Sequence, residues 1–244
     1  MITKVLDSHN AMSADSARRI ADHIAAHPKG LICLAAGFTQ VETLEKLQDI
    51  VRREHIPVCD LSFIGLDEWL GYGQGDQGSC YTFHHKHFIG PLGLRPGQVF
   101  LFDGRDTDPR RACRDADAYI DRHGGISLTV LGVGLNGHLG FNEPGSDPQA
   151  RSHVVELAQT SRDISGKYFG QRVPVTHGIT LGMKDLFQAG QVLVQCTGAH
   201  KADIMARLHR MPAPDRDMPV SWITALGDAC TLLMDRDSAA GISA

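Results

Sequence analysis

The residues best suited to acid–base chemistry are a carboxylate and a histidine that each follow a predicted strand. Asp67 comes directly after the apolar run at residues 61–66, and His138 follows the apolar run at residues 126–134. A carboxylate at the end of a buried strand can act as a general base, because an apolar setting raises its affinity for a proton. Like its neighbour Glu68, it could instead be a turn or helix-capping residue. The pattern alone leaves both interpretations open.

A second carboxylate, Glu143, lies in the same loop as His138. A histidine oriented by a carboxylate is the usual arrangement of a proton shuttle near neutral pH. A single histidine is more often structural, but glycines at 137 and 140 beside the Asn-Glu-Pro run at 142–144 are typical of a functional loop. We therefore predict that His138 and Glu143 act together in proton transfer.

An anion-binding turn is predicted where the run at residues 31–36 gives way to a helix. Gly37 and Thr39 lie at that junction, where backbone N–H groups, the helix dipole and a hydroxyl suit phosphate. Lys201, just after the apolar run at residues 191–197, could add a positive charge. The alternatives are a simple capping box from Thr39 to Glu42 and an isolated surface lysine.

One motif points towards a different function. Gly132, Gly134 and Gly137 match the dinucleotide-binding pattern, which requires a helix to open at these glycines. Residues 138–149 contain two prolines and two glycines, so a helix there is improbable. We therefore expect no nicotinamide cofactor.

A histidine cluster at positions 84, 85 and 87 is the nearest approach to a metal motif. It lacks Cys, Asp or Glu at ligand spacing, and neighbouring residues of a helix point apart. We interpret it as a solvated helix face and predict no metal site. The sequence also lacks a Ser or Cys nucleophile motif.

The elements that position these residues are strands alternating with helices. Apolar runs predict buried strands at 31–36, 61–66, 98–103, 126–134, 191–197 and 229–235. Helices are predicted at 14–26, from 39 onwards, and at 80–89, 109–122, 180–188 and 199–210. The alternation predicts one α/β domain over residues 1–244: a doubly wound, mostly parallel, open Rossmann-like sheet with helices on both faces. Ligands bind such sheets beyond the carboxyl ends of the strands.

Composition excludes several classes of protein. The 244 residues include 24 Lys and Arg against 28 Asp and Glu, a net charge of −4, which gives no electrostatic footprint for nucleic acid. The 42% hydrophobic content argues against disorder, and the longest apolar run is far too short to span a membrane. Six scattered cysteines, with no apolar signal-peptide core in the first thirty residues, predict reduced thiols and a cytoplasmic location.

Two segments resemble the signatures of a known enzyme family. The family is that of the glucosamine-6-phosphate and galactosamine-6-phosphate deaminases (isomerases). The segments that resemble its signatures are Leu-Asp-Glu-Trp-Leu-Gly at 66–71 and the glycine-rich segment at 132–146, and their residues are closer to those of the galactosamine branch. Residues 178–186 and 197–202 are similar too, and the similarity extends over about 10–235. The resemblance implies a sugar-phosphate-isomerase type of fold. It also implies cofactor-free conversion of a 2-amino-2-deoxyhexose 6-phosphate to a 2-keto sugar phosphate and ammonia.

The resemblance also implies roles for individual residues. Asp67 would move a proton between C2 and C1 of the sugar. His138 would open the sugar ring, and Glu143 would orient the imidazole of His138. Asn136 would complete the catalytic set. Substrate and phosphate contacts would come from Ala36, Gly37, Phe38, Thr39, Gly137, Lys167 and Lys201.

Three positions depart from the family pattern. Many members have Asp where this chain has Asn136, which leaves Glu143 alone to stabilise a cationic His138. The phosphate turn often reads Thr-Gly-x-Thr-Pro, whereas residues 36–40 read Ala-Gly-Phe-Thr-Gln. Allosteric hexameric members carry basic residues where this chain has His153 and Val155, so we assume neither allostery nor a hexamer, and a homo-oligomer stays open.

Two other functions fit the same residues. The related 6-phosphogluconolactonases share the glycine–histidine segment, and a lactonase would use His138 to activate water without needing Asp67. A non-catalytic sugar-phosphate sensor would explain the altered turn. It would not explain why Asp67, His138 and Glu143 are all present.

Overall fold

The central feature of the computed structural model, which describes residues 1–170 and 174–242, is a seven-stranded parallel sheet. Its strands are β1 (Ile2–Leu6), β2 (Leu31–Leu34), β3 (Ser62–Gly65), β5 (Val99–Phe100), β6 (Leu128–Gly132), β9 (Gln191–Cys196) and β10 (Cys230–Asp235). Their order is β1-β10-β9-β6-β2-β3-β5, and every neighbouring pair is parallel. The predicted doubly wound sheet is confirmed, with β1 added from the expected lead-in.

Eight α-helices connect the strands or flank the sheet in the described part of the chain. They are α1 (His9–Ala26), α2 (Phe38–Arg53), α3 (Cys80–His84), α4 (Gly90–Leu92), α5 (Pro109–Arg122), α6 (Gln159–Phe169), α7 (Met183–Phe187) and α8 (Ala202–Arg210). A π-helical turn, His85–Ile89, joins α3 to α4, and 3-10 turns lie at Pro96–Gln98, Ala199–Lys201 and Pro219–Ala229. No described helix is both long and apolar enough to cross a bilayer.

Successive strand residues feed two separate cores, one on each face of the sheet. On β2, Cys33 packs with Ala116 of α5 and Met205 of α8. The next residue, Leu34, packs on the opposite side with Ile20 of α1 and Leu47 of α2. This division follows from the two-residue period of a strand. It explains why the central strands are apolar along their whole length.

A second, three-stranded antiparallel sheet lies beside the carboxyl edge of the first. It contains β4 (Asp67–Trp69), β7 (His153–Glu156) and β8 (His177–Thr180), in the order β4-β8-β7. The predicted helix over 180–188 is therefore wrong at its start: Thr180 ends a strand, and α7 begins only at Met183, after Gly182. In this sheet Asp67 pairs with Thr180.

His84 contradicts the predicted solvated helix face. Cys80, His84 and Phe88 recur at four-residue spacing and are all buried, so they form the inner side of this helical segment. The His84 ring packs edge-on against Phe63 at 5.1 Å, and burial lowers its pKa to about 3. His84 is therefore a neutral core residue rather than a surface cation.

Candidate active site

Four loops carry the predicted site residues to one edge of the central sheet. Gly37 follows β2, Asp67 follows β3, the segment 133–146 follows β6 and Lys201 follows β9. Because these strands are parallel, their carboxyl ends lie at the same edge. Residues 133–146 form turns and not a helix, as their prolines and glycines predict.

Asp67 is partly exposed at the first position of β4. Burial raises the pKa of this carboxyl to about 6, while a hydrogen bond from the Cys80 thiol and the positive charge of His138 act to lower it. Thr180, the strand partner of Asp67, accepts at Oγ1 a hydrogen bond of 3.3 Å from the N–H of Phe141, which belongs to the same loop as His138. The carboxylate thus has a proton affinity suited to a general base near neutral pH.

Glu68, the next residue, has a different role. It is completely buried, and its carboxylate accepts hydrogen bonds from Ser79 Oγ at 2.6 Å and from the backbone N–H groups of Trp69, Cys80 and Tyr81 at 2.8 to 3.1 Å. Burial raises its pKa to about 7, against the effect of these donors. The helix-capping interpretation therefore applies to Glu68, which binds the N-terminus of α3. Asp67 is left as the candidate general base.

His138 belongs to a hydrogen-bonded group of side chains. Its Nδ1 lies 3.3 Å from Glu143 Oε2 and 3.2 Å from Ser161 Oγ. Glu143 also accepts from Asn136 Nδ2 at 2.9 Å and from the backbone N–H of Ala158 at 3.2 Å. Burial raises the pKa of Glu143, but its bonds to His138, Ser161 and Asn136 outweigh burial and lower it to about 2. The pair is therefore arranged to stabilise a protonated imidazole.

Asn136 uses both ends of its amide. Its Oδ1 accepts from the backbone N–H of His138 at 3.1 Å, and its Nδ2 donates to Glu143 and to Thr160 Oγ1. An aspartate could accept from His138 N–H but could not donate to Glu143. Asn136 therefore ties the histidine to its carboxylate without adding a second negative charge.

The backbone of this loop leaves room for the imidazole. A β-carbon at Gly134 would lie 2.2 Å from His138 Nε2, so a glycine is required there. Gly137 has a φ of +87° and its carbonyl accepts from the N–H of Val220 at 2.8 Å, so it shapes the turn through its backbone. Asn142 anchors the loop by donating to the carbonyls of Leu139 and Leu181, both at 2.9 Å.

The predicted capping box at Thr39 and Glu42 is wrong. Helix α2 begins at Phe38 with Gly37 as its N-cap, and no described side chain caps it. Gly37 has a φ of +129°, which a residue with a side chain rarely adopts. The Thr39 carbonyl lies 3.4 Å from His9 Nε2, and Ala36 packs beside the cluster that contains Trp69. The hydroxyl of Thr39 is thus not committed to a cap, and the helix N-terminus can meet an anion.

Positive charge collects at the start of the His138 loop. Lys201 donates from Nζ to the carbonyl of Val133, which joins it to the start of the His138 loop. Burial lowers the pKa of Lys201, and the nearby charge of Lys167 acts in the same direction. The pKa of His200 is lowered by burial and by both lysines. The charges of Lys167 and Lys201 therefore act on each other and on His200, and the binding of phosphate by the two lysines stays a prediction.

Tyr168 connects the two parts of the site. Its ring stacks on Phe38 at 5.2 Å and lies 5.9 Å from Trp69, and a β-carbon at Gly37 would lie 3.4 Å from its Oη. Burial, with the charges of Cys80 and Asp67, raises the Tyr168 pKa to about 12. One aromatic side chain therefore reaches from the anion-binding turn to the predicted base, and Phe38, 61% exposed, lies at the outer end of that wall.

The sequence did not indicate several residues that the structure adds to the site: Cys80, Thr160, Ser161, Tyr168 and His200. Three of them lie on α6, whose buried face is Ser161, Ser165 and Phe169. Two serines and one phenylalanine give too weak an apolar period to mark a helix. Ser79 before Cys80 is the signal that sequence reasoning could have used, because Ser79 caps α3 by accepting from Thr82 N–H. Among the described residues, no group of three or more His, Cys, Asp or Glu is placed to hold a metal ion.

Comparison with known proteins gives matches along nearly the whole chain. The family model described as glucosamine-6-phosphate isomerases/6-phosphogluconolactonase matches residues 7–232. The Escherichia coli (strain K12) protein named "Putative deaminase AgaI" is 37% identical over 203 residues, which are 83% of this chain and 80% of that protein. A glucosamine-6-phosphate deaminase of Bacillus pumilus (strain SAFR-032) is 31% identical over 93% of this chain and 94% of its own length.

Solved structures match the fold as a whole. A structure described as a monomeric glucosamine-6-phosphate deaminase superposes with a TM-score of 0.94 at 28% identity and covers 99% of this chain and 100% of its own. The 6-phosphogluconolactonase from Trypanosoma brucei gives a TM-score of 0.78 at 19% identity, covering 99% and 98%. The second likeness concerns the fold alone.

Proposed function

On the premise that the chain belongs to the glucosamine-6-phosphate isomerase/6-phosphogluconolactonase family, we propose that it is an amino-sugar-6-phosphate deaminase. It converts a 2-amino-2-deoxyhexose 6-phosphate and water to the ketohexose 6-phosphate and ammonia. The observation that carries the proposal is that Asp67 begins β4 directly after β3, at the carboxyl edge of the sheet that also holds the His138–Glu143 pair, whose Nδ1 and Oε2 atoms lie 3.3 Å apart. An aldose–ketose conversion needs these two functions: a base at C2 and an acid at the ring oxygen.

The first step is ring opening by His138. The imidazole moves a proton between the C1 hydroxyl and the ring oxygen, which releases the open-chain aldehyde. Glu143, whose pKa of about 2 keeps it ionised, stabilises the protonated imidazole in this step. Asn136 holds His138 and Glu143 in place, because its amide bonds to both residues.

Asp67 performs the isomerisation. Its carboxylate takes the proton from C2, the electron pair forms a C1–C2 double bond, and the C1 oxygen takes a proton from the His138 imidazolium, which gives a hydroxyl on C1 and the amine on C2. The same carboxyl returns the C2 proton to C1, which leaves a protonated imine at C2. Water adds to that carbon and gives one proton back to the imidazole and one to the nitrogen. The C–N bond then breaks, and ammonia leaves a ketone at C2.

The 6-phosphate binds at the start of α2. We assign it to the backbone N–H groups of Phe38 and Thr39 beside Ala36 and Gly37, and to the charges of Lys167 and Lys201, with Gly137 shaping the adjacent loop. All these residues belong to one chain. The proposal also places the protein in the cytoplasm, where six unpaired cysteines stay reduced.

The test is an assay of ammonia and ketose phosphate release from galactosamine 6-phosphate, glucosamine 6-phosphate and their unphosphorylated forms. We expect turnover of at least one phosphorylated epimer, strong discrimination against the unphosphorylated sugars, and loss of turnover in Asp67→Asn. The sequence resemblance to the galactosamine branch makes galactosamine 6-phosphate the first substrate to try.

Two outcomes would overturn the proposal. Opening of a sugar-acid lactone phosphate that needs His138 but not Asp67, without ammonia from any amino sugar, would identify a lactonase. Binding of an amino-sugar phosphate without ammonia release would identify a sensor.

A further inference from the structure

We propose that Ser161 is a positioning residue for His138: its hydroxyl holds the imidazole against α6 with the proton on Nδ1, which leaves Nε2 for the substrate. The proposal rests on the proposed function in so far as His138 opens the sugar ring. The contact itself does not depend on that role, since Ser161 Oγ lies 3.2 Å from His138 Nδ1.

The first turn of α6 contacts all three polar residues of the His138 group. Each of them has one hydrogen bond to a different residue of the turn: Glu143 Oε1 with the N–H of Ala158 at 3.2 Å, Asn136 Nδ2 with Thr160 Oγ1 at 3.1 Å, and His138 Nδ1 with Ser161 Oγ at 3.2 Å. The turn is itself closed, because the Ala158 carbonyl accepts from the Ser161 N–H at 3.0 Å. This end of α6 therefore docks on the acid–base group as a unit.

Ser161 differs from the other partners of His138 because it belongs to another element. Asn136 and Glu143 lie in the same loop as the histidine, so their bonds orient the imidazole within that loop. They do not fix the loop relative to its surroundings. Ser161 lies 23 residues further along the chain, on the helix that also carries Lys167. Its hydroxyl therefore fixes the imidazole relative to α6.

The surroundings of Nδ1 determine which nitrogen of the imidazole carries the proton. Glu143 Oε2 lies 3.3 Å from Nδ1, and an ionised carboxylate can only accept, so Nδ1 is the protonated nitrogen. The Ser161 hydroxyl is a second acceptor for the same N–H. Nε2 makes no hydrogen bond to any residue that the structure describes. Nε2 is therefore the nitrogen that can exchange a proton with the sugar.

The hydroxyl of Ser161 is enclosed by the protein. Ser161 is 2% exposed, so water has little access to the place of its side chain. A hydroxyl accepts and donates at once, and Ser161 also forms a hydrogen bond with Glu143. Removing the hydroxyl therefore takes one acceptor from the imidazole N–H and one partner from the carboxylate, with no solvent to replace them.

Ser165 provides a matched control. It lies one turn further along the same buried face of α6 and is 0% exposed. Its hydroxyl donates to the carbonyl of Arg162 at 2.7 Å, so its bond stays within the helix. Ser165→Ala loses the same buried hydroxyl as Ser161→Ala without touching His138.

The experiment compares Ser161→Ala, Ser161→Thr and Ser165→Ala. Steady-state kcat and KM are measured on the phosphorylated amino sugar, in the wild-type background and in a His138→Ala background. The ring N–H of His138 is observed by NMR in protein labelled with nitrogen-15 histidine, and its resonance is identified by its loss in His138→Ala. Its rate of exchange with water needs no turnover and reports the hydrogen bonding of Nδ1 directly.

In Ser161→Ala we expect kcat to fall by about tenfold at nearly constant KM, and exchange of the ring N–H to accelerate by about tenfold. Ser161→Thr, which restores a hydroxyl, should recover most of both effects. Ser165→Ala should change each quantity by less than about twofold. In the His138→Ala background, Ser161→Ala should also change kcat by less than about twofold, because its effect passes through the imidazole.

Three results would overturn the proposal: unchanged N–H exchange in folded Ser161→Ala, an equal acceleration in Ser165→Ala, or a further tenfold loss of kcat from Ser161→Ala in the His138→Ala background. The last would show that Ser161 supports the fold and does not act through the histidine. A failure of the proposed function looks different. In that case no amino-sugar phosphate yields ammonia in wild type, while the ring N–H still exchanges faster in Ser161→Ala.

Discussion

The two halves of the site differ in how completely the protein itself satisfies their polar groups. In the acid–base region, formed by Asp67, Asn136, His138 and Glu143, the last three side chains are joined by hydrogen bonds within the protein. In the anion region, formed by residues 37–40 with Lys167, His200 and Lys201, burial and neighbouring positive charge lower the pKa of both His200 and Lys201, and Phe38 is 61% exposed. We therefore infer that the first region is preorganised for proton transfer, whereas the second is stabilised most when a dianion binds among its positive charges.

The largest effect is expected from Asp67→Asn, and it tests whether the acid–base region depends on one carboxylate. An amide cannot take the C2 proton, so kcat should fall by about 1,000-fold or more, with little change in KM or in the free energy of unfolding. The measurement is steady-state ammonia release together with urea unfolding.

The neighbouring Glu68→Gln is the matched control. It changes a carboxylate that accepts four hydrogen bonds within the fold, so it should lower the free energy of unfolding by about 2 kcal/mol. Comparable losses of kcat in the two stable proteins would contradict the division of roles between Asp67 and Glu68.

Glu143→Gln should have the next largest effect, because it removes the charge that stabilises protonated His138. We expect kcat to fall by about 100-fold at constant KM. Stability should change with pH in a defined direction. The native pKa of about 2 lies below the ordinary value of 4.5, so Glu143 stabilises the native state above pH 4.5.

That contribution should be lost as the pH falls from 4.5 towards 2. Unfolding free energies of wild type and Glu143→Gln, measured from pH 7 to pH 3, should therefore converge as the pH is lowered. A constant difference over this range would show that the Glu143 pKa is not depressed.

Lys201→Met tests the anion region, and here binding should suffer more than chemistry. Loss of one cation from a phosphate contact costs about 2 kcal/mol, so KM for the phosphorylated sugar should rise by about 30-fold with kcat nearly retained. Lys184→Met is a control, since Lys184 is also half-buried but lies on α7. A loss of kcat at unchanged KM, or an equal loss with unphosphorylated sugar, would remove Lys201 from the phosphate site.

Features that depend on local sequence were predicted, whereas residues placed by contacts between distant segments were not. Continuous apolar runs predict β2, β3, β6, β9 and β10, because a strand buried on both faces has only apolar neighbours. The contact of His138 with Glu143 follows from their closeness in one loop. Residues that depend on distant packing were missed: Tyr168 enters from α6, and Cys80 is placed by Glu68.

Local patterns misled where tertiary structure overrode them. His84 looks like part of a polar cluster, but the four-residue spacing of Cys80, His84 and Phe88 buries it. Thr39 and Glu42 match a capping box, yet the helix begins one residue before Thr39, at Phe38. The prediction of one domain over all 244 residues stays a prediction.

The smallest effect is expected from Gln40→Leu, and it asks whether the anion region carries an unsatisfied group. Gln40 is 1% exposed on the inner face of α2, and neither end of its amide has a hydrogen-bond partner among residues 1–170 and 174–242. Leucine of similar size removes that desolvated amide, so the free energy of unfolding should rise by about 1 kcal/mol, with KM changed less than about twofold.

Gln195→Leu is the matched control. Gln195 is equally buried but is bonded to Thr43 and Ser16, so the same substitution should destabilise the protein by about 2 kcal/mol. If urea unfolding gives equal losses of unfolding free energy for both variants, Gln40 is hydrogen-bonded in solution. The acid–base region and the anion region would then differ only in their charges.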